Sequence, residues 1–150
     1  MRLFPLADTR KPFDYWRHLR KNIDEVEIIQ NKELSGNFGI ELHFYEPETN
    51  TINLVAPMKA LLDGVICAFH RMPISIDKSI IEEVGTRLKM SPDNLLYSNK
   101  AILGEEFYVR PYRNGIKWNP QDNRCVSASI HIEYGAKERC FSGRLYKETP

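Results

Sequence analysis

From Asn37 to Tyr45 the chain alternates strictly. Phe38, Ile40, Leu42 and Phe44 fall on one side, and Gly39, Glu41, His43 and Tyr45 on the other. A period of two is the mark of a strand with one face in a core and one in water. A lone strand cannot hold that arrangement, so the chain must supply strand partners and an apolar layer for the inner face. The second strongest pattern supplies the layer. Pro57 to His70 reads as a helix, with its proline near the first turn, where helices tolerate one. Leu61, Leu62, Val65, Ile66 and Phe69 give it a broad apolar stripe, and it is the expected central buried helix.

The remaining elements follow from shorter signals. From Asp14, Tyr15, Trp16, Leu19, Ile23 and Val26 recur at helical spacing, with Arg17, Arg20, Lys21 and Asp24 between them, which predicts an amphipathic surface helix. Met1 to Leu6 reads as a short strand and Glu46 to Asn50 as a loop. Asp77 is positioned to cap a helix from Lys78 to about Leu88. Ser91 and Pro92 open a shorter helix carrying Leu95 and Leu96. Phe107 to Arg110 and Val126 to Tyr134 read as strands. Between them lie a turn at Asn114-Gly115, the segment Ile116 to Trp118 and a second turn at Asn119-Pro120. Gly135 to Pro150 is polar and mixed, and is expected to be a loosely attached tail. The order predicts an α+β fold: one compact domain over 1–134, a small mixed or antiparallel sheet, a central buried helix and flanking helices, then the tail over 135–150.

Length and charge narrow the function classes. At 150 residues the chain suits one ordinary domain. Lys and Arg number 21 against 20 for Asp and Glu, so the net charge of +1 argues against a histone-like basic protein or an acidic tail. A local cationic face remains open, because basic residues concentrate at Arg10 to Lys21 and Arg110 to Arg124. The N-terminus has no apolar run of signal-peptide length. The stretch from Ile52 to Phe69 is broken by Asn53, Pro57, Lys59 and Asp63, so no membrane span is expected. Cys67, Cys125 and Cys140 are odd in number and widely spaced, which suits reduced thiols in the cytoplasm. With no C-x-x-C pair and four dispersed histidines, no zinc or other metal site is expected.

Few residue patterns carry chemistry. His43 and His131 sit on two expected strands, as in two-histidine phosphoesterases, but the positions two residues later hold Tyr45 and Glu133 in place of that family's Thr or Ser. They are expected to face solvent or be satisfied by neighbours. Neither a Gly-x-Ser-x-Gly elbow nor a Gly-rich phosphate loop is present. The segment from Arg110 to Arg124 interleaves Arg110, Arg113, Lys117 and Arg124 with Tyr112 and Trp118, and Asp122 is its single acid. Guanidinium forks bind phosphate and aromatic faces stack bases or packed peptide, so these residues are the candidate contact surface. The plainer reading is a hairpin whose Trp118 packs on the core and whose Arg–Asp pairs hold the turn.

Residues 36 to 70 add a family pattern: a glycine-led strand, a loop containing Pro47, Asn53-Leu54, then a helix with Lys59-Ala60-Leu61-Leu62-Asp63-Gly64. This resembles the RusA-like Holliday-junction resolvases, which run a strand into Asp-x-Asp-Asn-Leu and a Lys-x-x-x-Asp helix. The resemblance implies a small α+β fold acting as a dimer on branched DNA with magnesium. Lys59 and Asp63 match its helix, and Asp77 falls near its last carboxylate. The stretch Asn50 to Leu54, however, has no carboxylate, and a divalent cation needs several such oxygens. The expectation is therefore a non-catalytic RusA-like binding or adaptor domain of a bacterial or phage protein. It would contact a protein partner, itself or nucleic acid, need no cofactor, and have no assigned catalytic residue. The alternatives are a magnesium-dependent, structure-specific DNA endonuclease using the displaced carboxylates Asp63, Asp77 and Glu46 or Glu48, and a purely structural subunit with the aromatic hairpin as its interface.

Overall fold

A computed structural model describes residues 12–27, 34–46, 55–120, 122–137 and 140–148. The alternating segment is strand β1 (Phe38–Glu46), the middle strand of a three-stranded sheet. On one side it pairs in parallel with β4 (Cys125–Tyr134), and on the other antiparallel with β5 (Cys140–Lys147). Phe38, Ile40, Leu42 and Phe44 are all buried, as a half-buried strand requires. Phe141 of β5 joins them, stacking on Phe44 with ring centroids 5.8 Å apart.

The helical layer is built by α1 (Pro12–Lys21) and α2 (Val55–Ala68). Tyr15, Trp16 and Leu19 of α1 and Leu61, Val65 and Ile66 of α2 share one hydrophobic core with β1. The two helices touch closely at Gly64, where a Cβ atom would collide with the Pro12 carbonyl oxygen and lie 2.8 Å from the Tyr15 Cβ. Helix α1 ends earlier than its apolar spacing suggests. Asn22 leaves helical geometry at φ −116, ψ 26 and ties its side-chain amide to the His18 carbonyl. Ile23–Glu25 then form a 3-10 turn that still delivers Val26 to the core.

Helix α3 (Lys78–Leu88) starts where the capping signal places it, with the Asp77 carboxylate accepting from the Ser79 N–H at 2.9 Å. Helix α4 (Pro92–Leu96) begins with Pro92 after Ser91, whose side chain makes no capping bond. Strands β2 (Val109–Tyr112) and β3 (Gly115–Trp118) form a separate two-stranded sheet beside α3. Their turn is centred on Arg113 and Asn114, one residue before the expected Asn-Gly pair, with Arg113 at φ 52 and Gly115 already in β3.

The α+β class is the one observed. The expectation of a loose tail from Gly135 is corrected by β5. The sequence shows only Phe141 and Leu145 alternating around Gly143, a signal too short to stand alone. Pairing with β1 gives that segment its ladder. A side chain at Gly143 would strike the Glu41 carbonyl oxygen, so glycine is what lets the two strands close. The expected strand over Met1 to Leu6 and the Asn50 to Leu54 segment lie outside the described residues. No helix among the described residues is long and apolar enough to cross a membrane.

Candidate functional site

A groove of about 1250 Å³ opens between α1, the C-terminal end of α3, the segment around α4 and the inner face of β3. Its floor is aromatic. Trp16 and Trp118 lie 5.8 Å apart, Phe13 stacks on Trp16 at 6.2 Å, and Tyr108 stacks behind Trp118 at 6.1 Å. Its walls are cationic: among the described residues Arg17, Arg20, Lys21, Arg87 and Lys89 line it, with Asp24 the one acid. Tyr97 lines it as well and is 72% exposed.

The five cations do not play the same part. Arg20 turns into the protein and donates to the carbonyl oxygens of Ala68, His70, Asn94 and Tyr97. Its guanidinium also lies 5.1 Å from the Trp16 ring. Burial lowers its pKa from the ordinary arginine value, and the four carbonyls receive the charge that burial would otherwise strand. Arg87 pairs with Glu83 and donates to the carbonyls of Arg113 and Gly115, clamping the hairpin turn to α3. Arg17, Lys21 and Lys89 have no carboxylate partner among the described residues, and all three are exposed. Arg17 lies over the Phe13 ring at 5.9 Å. Among the described residues they are the exposed groove cations without an ion pair.

The expected contact surface is divided by the hairpin. Arg110 pairs with Lys117 across β2 and β3, and both project from the exposed face with Tyr112. Arg113 and Lys117 lie 5.2 and 5.7 Å from the Tyr112 ring centre. Trp118 points the other way, into the aromatic floor of the groove. Arg124 is away from both faces. It donates to the carbonyls of Leu34, Gly36 and Leu103 and covers Phe38, which fixes the entry to β1. The side chain of Asp122 lies outside the described residues.

The acidic candidates are placed on separate helices. Asp63 is 8% exposed on α2, with the Lys59 ammonium 3.4 Å away, one helical turn earlier. Asp77 caps α3, and the Ser79 backbone N–H and hydroxyl hold its carboxyl below the ordinary aspartate value. Among the described residues no three His, Cys, Asp or Glu side chains gather as a metal site would require. Glu48 and the Glu46 side chain lie outside the described residues.

The strand pairing brings the two strand histidines into contact. His43 and His131 are direct neighbours in the parallel register of β1 and β4, and their rings stack 4.9 Å apart at 18°. The His43 Nε2 lies 3.1 Å from Glu41, which also pairs with Arg144 at 3.0 Å. These two bonds, His43 first, hold the Glu41 carboxyl below its ordinary value. Lys89 and Tyr97 were missed in the sequence. Lys89 is the left-handed C-cap of α3 and Tyr97 follows α4, so neither belongs to a periodic pattern.

The chain matches no family model, no curated protein and no solved structure.

Proposed function

We propose that this chain is a non-catalytic, RusA-like binding domain whose groove holds an unpaired stretch of nucleic acid. The observation that carries this reading is the combination along the groove of three cations without a carboxylate partner among the described residues, Arg17, Lys21 and Lys89, with the exposed ring of Tyr97. Phosphates attract such cations and unstacked bases lie on aromatic faces, in either DNA or RNA. The near-neutral whole chain is compatible with this, because the charge is local: among the described residues five cations and one acid line the groove. The outward cations Arg110, Arg113 and Lys117 supply a second place for phosphate to rest.

Fluorescence anisotropy with labelled single-stranded oligonucleotides, titrated over salt, tests the reading. Binding should weaken linearly on a log–log salt plot. Arg17→Ala and Lys21→Ala should each reduce the slope by about 0.7, the single-strand value for one phosphate contact. Absence of binding to any DNA or RNA at low salt overturns the nucleic-acid reading and leaves a protein partner as the ligand class.

A further inference from the structure

Among the described residues, two that are not glycine take a positive φ, and both are cations: Lys89 at φ 55 and Arg113 at φ 52. Glycine is the residue that adopts this geometry without a steric cost. Lys89 is the C-cap of α3, where glycine is common, and it lines the groove. Arg113 is the first of the two turn residues between β2 and β3, another position that favours glycine. A third cost lies beside them. Arg110 and Lys117 stand directly opposite in the β2–β3 register, and like charges so placed repel. Arg110, Arg113 and Lys117 have no carboxylate partner among the described residues. Backbone strain and like-charge repulsion thus fall on cations around one turn, and strain that a fold retains clusters where a ligand is held.

The turn is also where the groove meets the outer hairpin face. Gly115 at the turn, with Ile116 and Trp118, lines the groove, while Tyr112 and Lys117 project from the opposite face. Arg87, in the groove wall, donates to the Arg113 and Gly115 carbonyls and fixes the turn there. We infer that the strand held in the groove continues around this turn: its phosphates pass Lys89, meet Arg113 and run on to Arg110 and Lys117. The inference rests on the groove reading and adds the length and chemistry of the ligand, a single strand long enough to occupy both faces of the hairpin. The outer stretch is held by its backbone alone. Tyr112 is 49% exposed, but Arg113 and Lys117 lie 5.2 and 5.7 Å from its ring centre, so this face offers charge where the groove offers rings.

Fluorescence anisotropy on the full chain, with single-stranded oligonucleotides of about 4 to 16 residues, tests it. Affinity should rise in a step of about tenfold or more once a strand spans both faces, because the second contact is then intramolecular. An extension made of abasic sugar-phosphate should give the same step. Arg113→Gly removes the charge and supplies the residue that the turn prefers. Its urea midpoint should hold or rise, while the step shrinks and the log–log salt slope of the long strand falls by about 0.7. Arg113→Asn, which also takes a positive φ, should do the same, and Arg110→Gln with Lys117→Gln should remove most of what is left. An affinity that rises only in proportion to length, a step that needs bases in the extension, or a step that survives these folded variants overturns the inference and leaves the groove reading intact. Failure of every strand to bind at low salt overturns both.

Discussion

His70 shows most directly how single residues set this protein's behaviour. Its side chain is fully buried, with Nδ1 3.2 Å from the Gly104 carbonyl oxygen and Nε2 lacking a partner among the described residues. Burial lowers its pKa to about 4, with the nearby charges of Arg124 and Arg20 acting in the same direction. Between about 6.5 and 4 the unfolded chain takes up a proton that the native chain refuses. Stability therefore falls as pH drops through that window, by about 3 kcal/mol in all, and is fully present above it. Urea midpoints measured at pH 7.5, 5.5 and 4.5 should show the fall, and His70→Leu should flatten it. An unchanged pH slope in that variant would assign the effect to other groups. Arg20 works at the same scale, since one side chain joins α1 to the end of α2 and to α4 through four carbonyls. Its place in a run of basic residues gave no sign that it points inward while Arg17 and Lys21 point out.

The helices and strands were largely legible because each carries its own period or punctuation. The β1 alternation, the α2 stripe and the Asp77 cap depend on residues close in sequence, and all three lie where those residues put them. Boundaries moved where local bonds competed, as when Asn22 closed α1 early. The close approach of α1 and α2 gives a test of this scale. Helix propensity alone favours alanine over glycine by about 1 kcal/mol. At Gly64 the added methyl would meet Pro12 and Tyr15, so Gly64→Ala should instead destabilise the fold by about 1–3 kcal/mol. Chemical denaturation reads the sign directly, and a stabilised variant would show that the helices can part at little cost.

At the scale of the molecule, β5 closes the fold from the far end of the chain. Phe141 is buried beside Phe44 and Tyr15, and β1 takes its antiparallel partner from Cys140 to Lys147. A chain ending at 137 should therefore lose its cooperative unfolding transition and near-ultraviolet circular dichroism, whereas a dispensable tail would leave both intact. The sequence by itself determined the α+β class, the inner face of β1, the buried α2 and the supply of cations, because periodicity and capping act over a few residues. Only the tertiary structure decided which residues meet. It put His43 beside His131, 88 positions apart, and gave Trp118 to the groove while Tyr112 faced outward. It also turned Arg20 inward onto four carbonyls while leaving Arg17, Lys21 and Lys89 exposed. Those outcomes rest on strand pairing and helix packing between distant segments, and no short-range pattern encodes them.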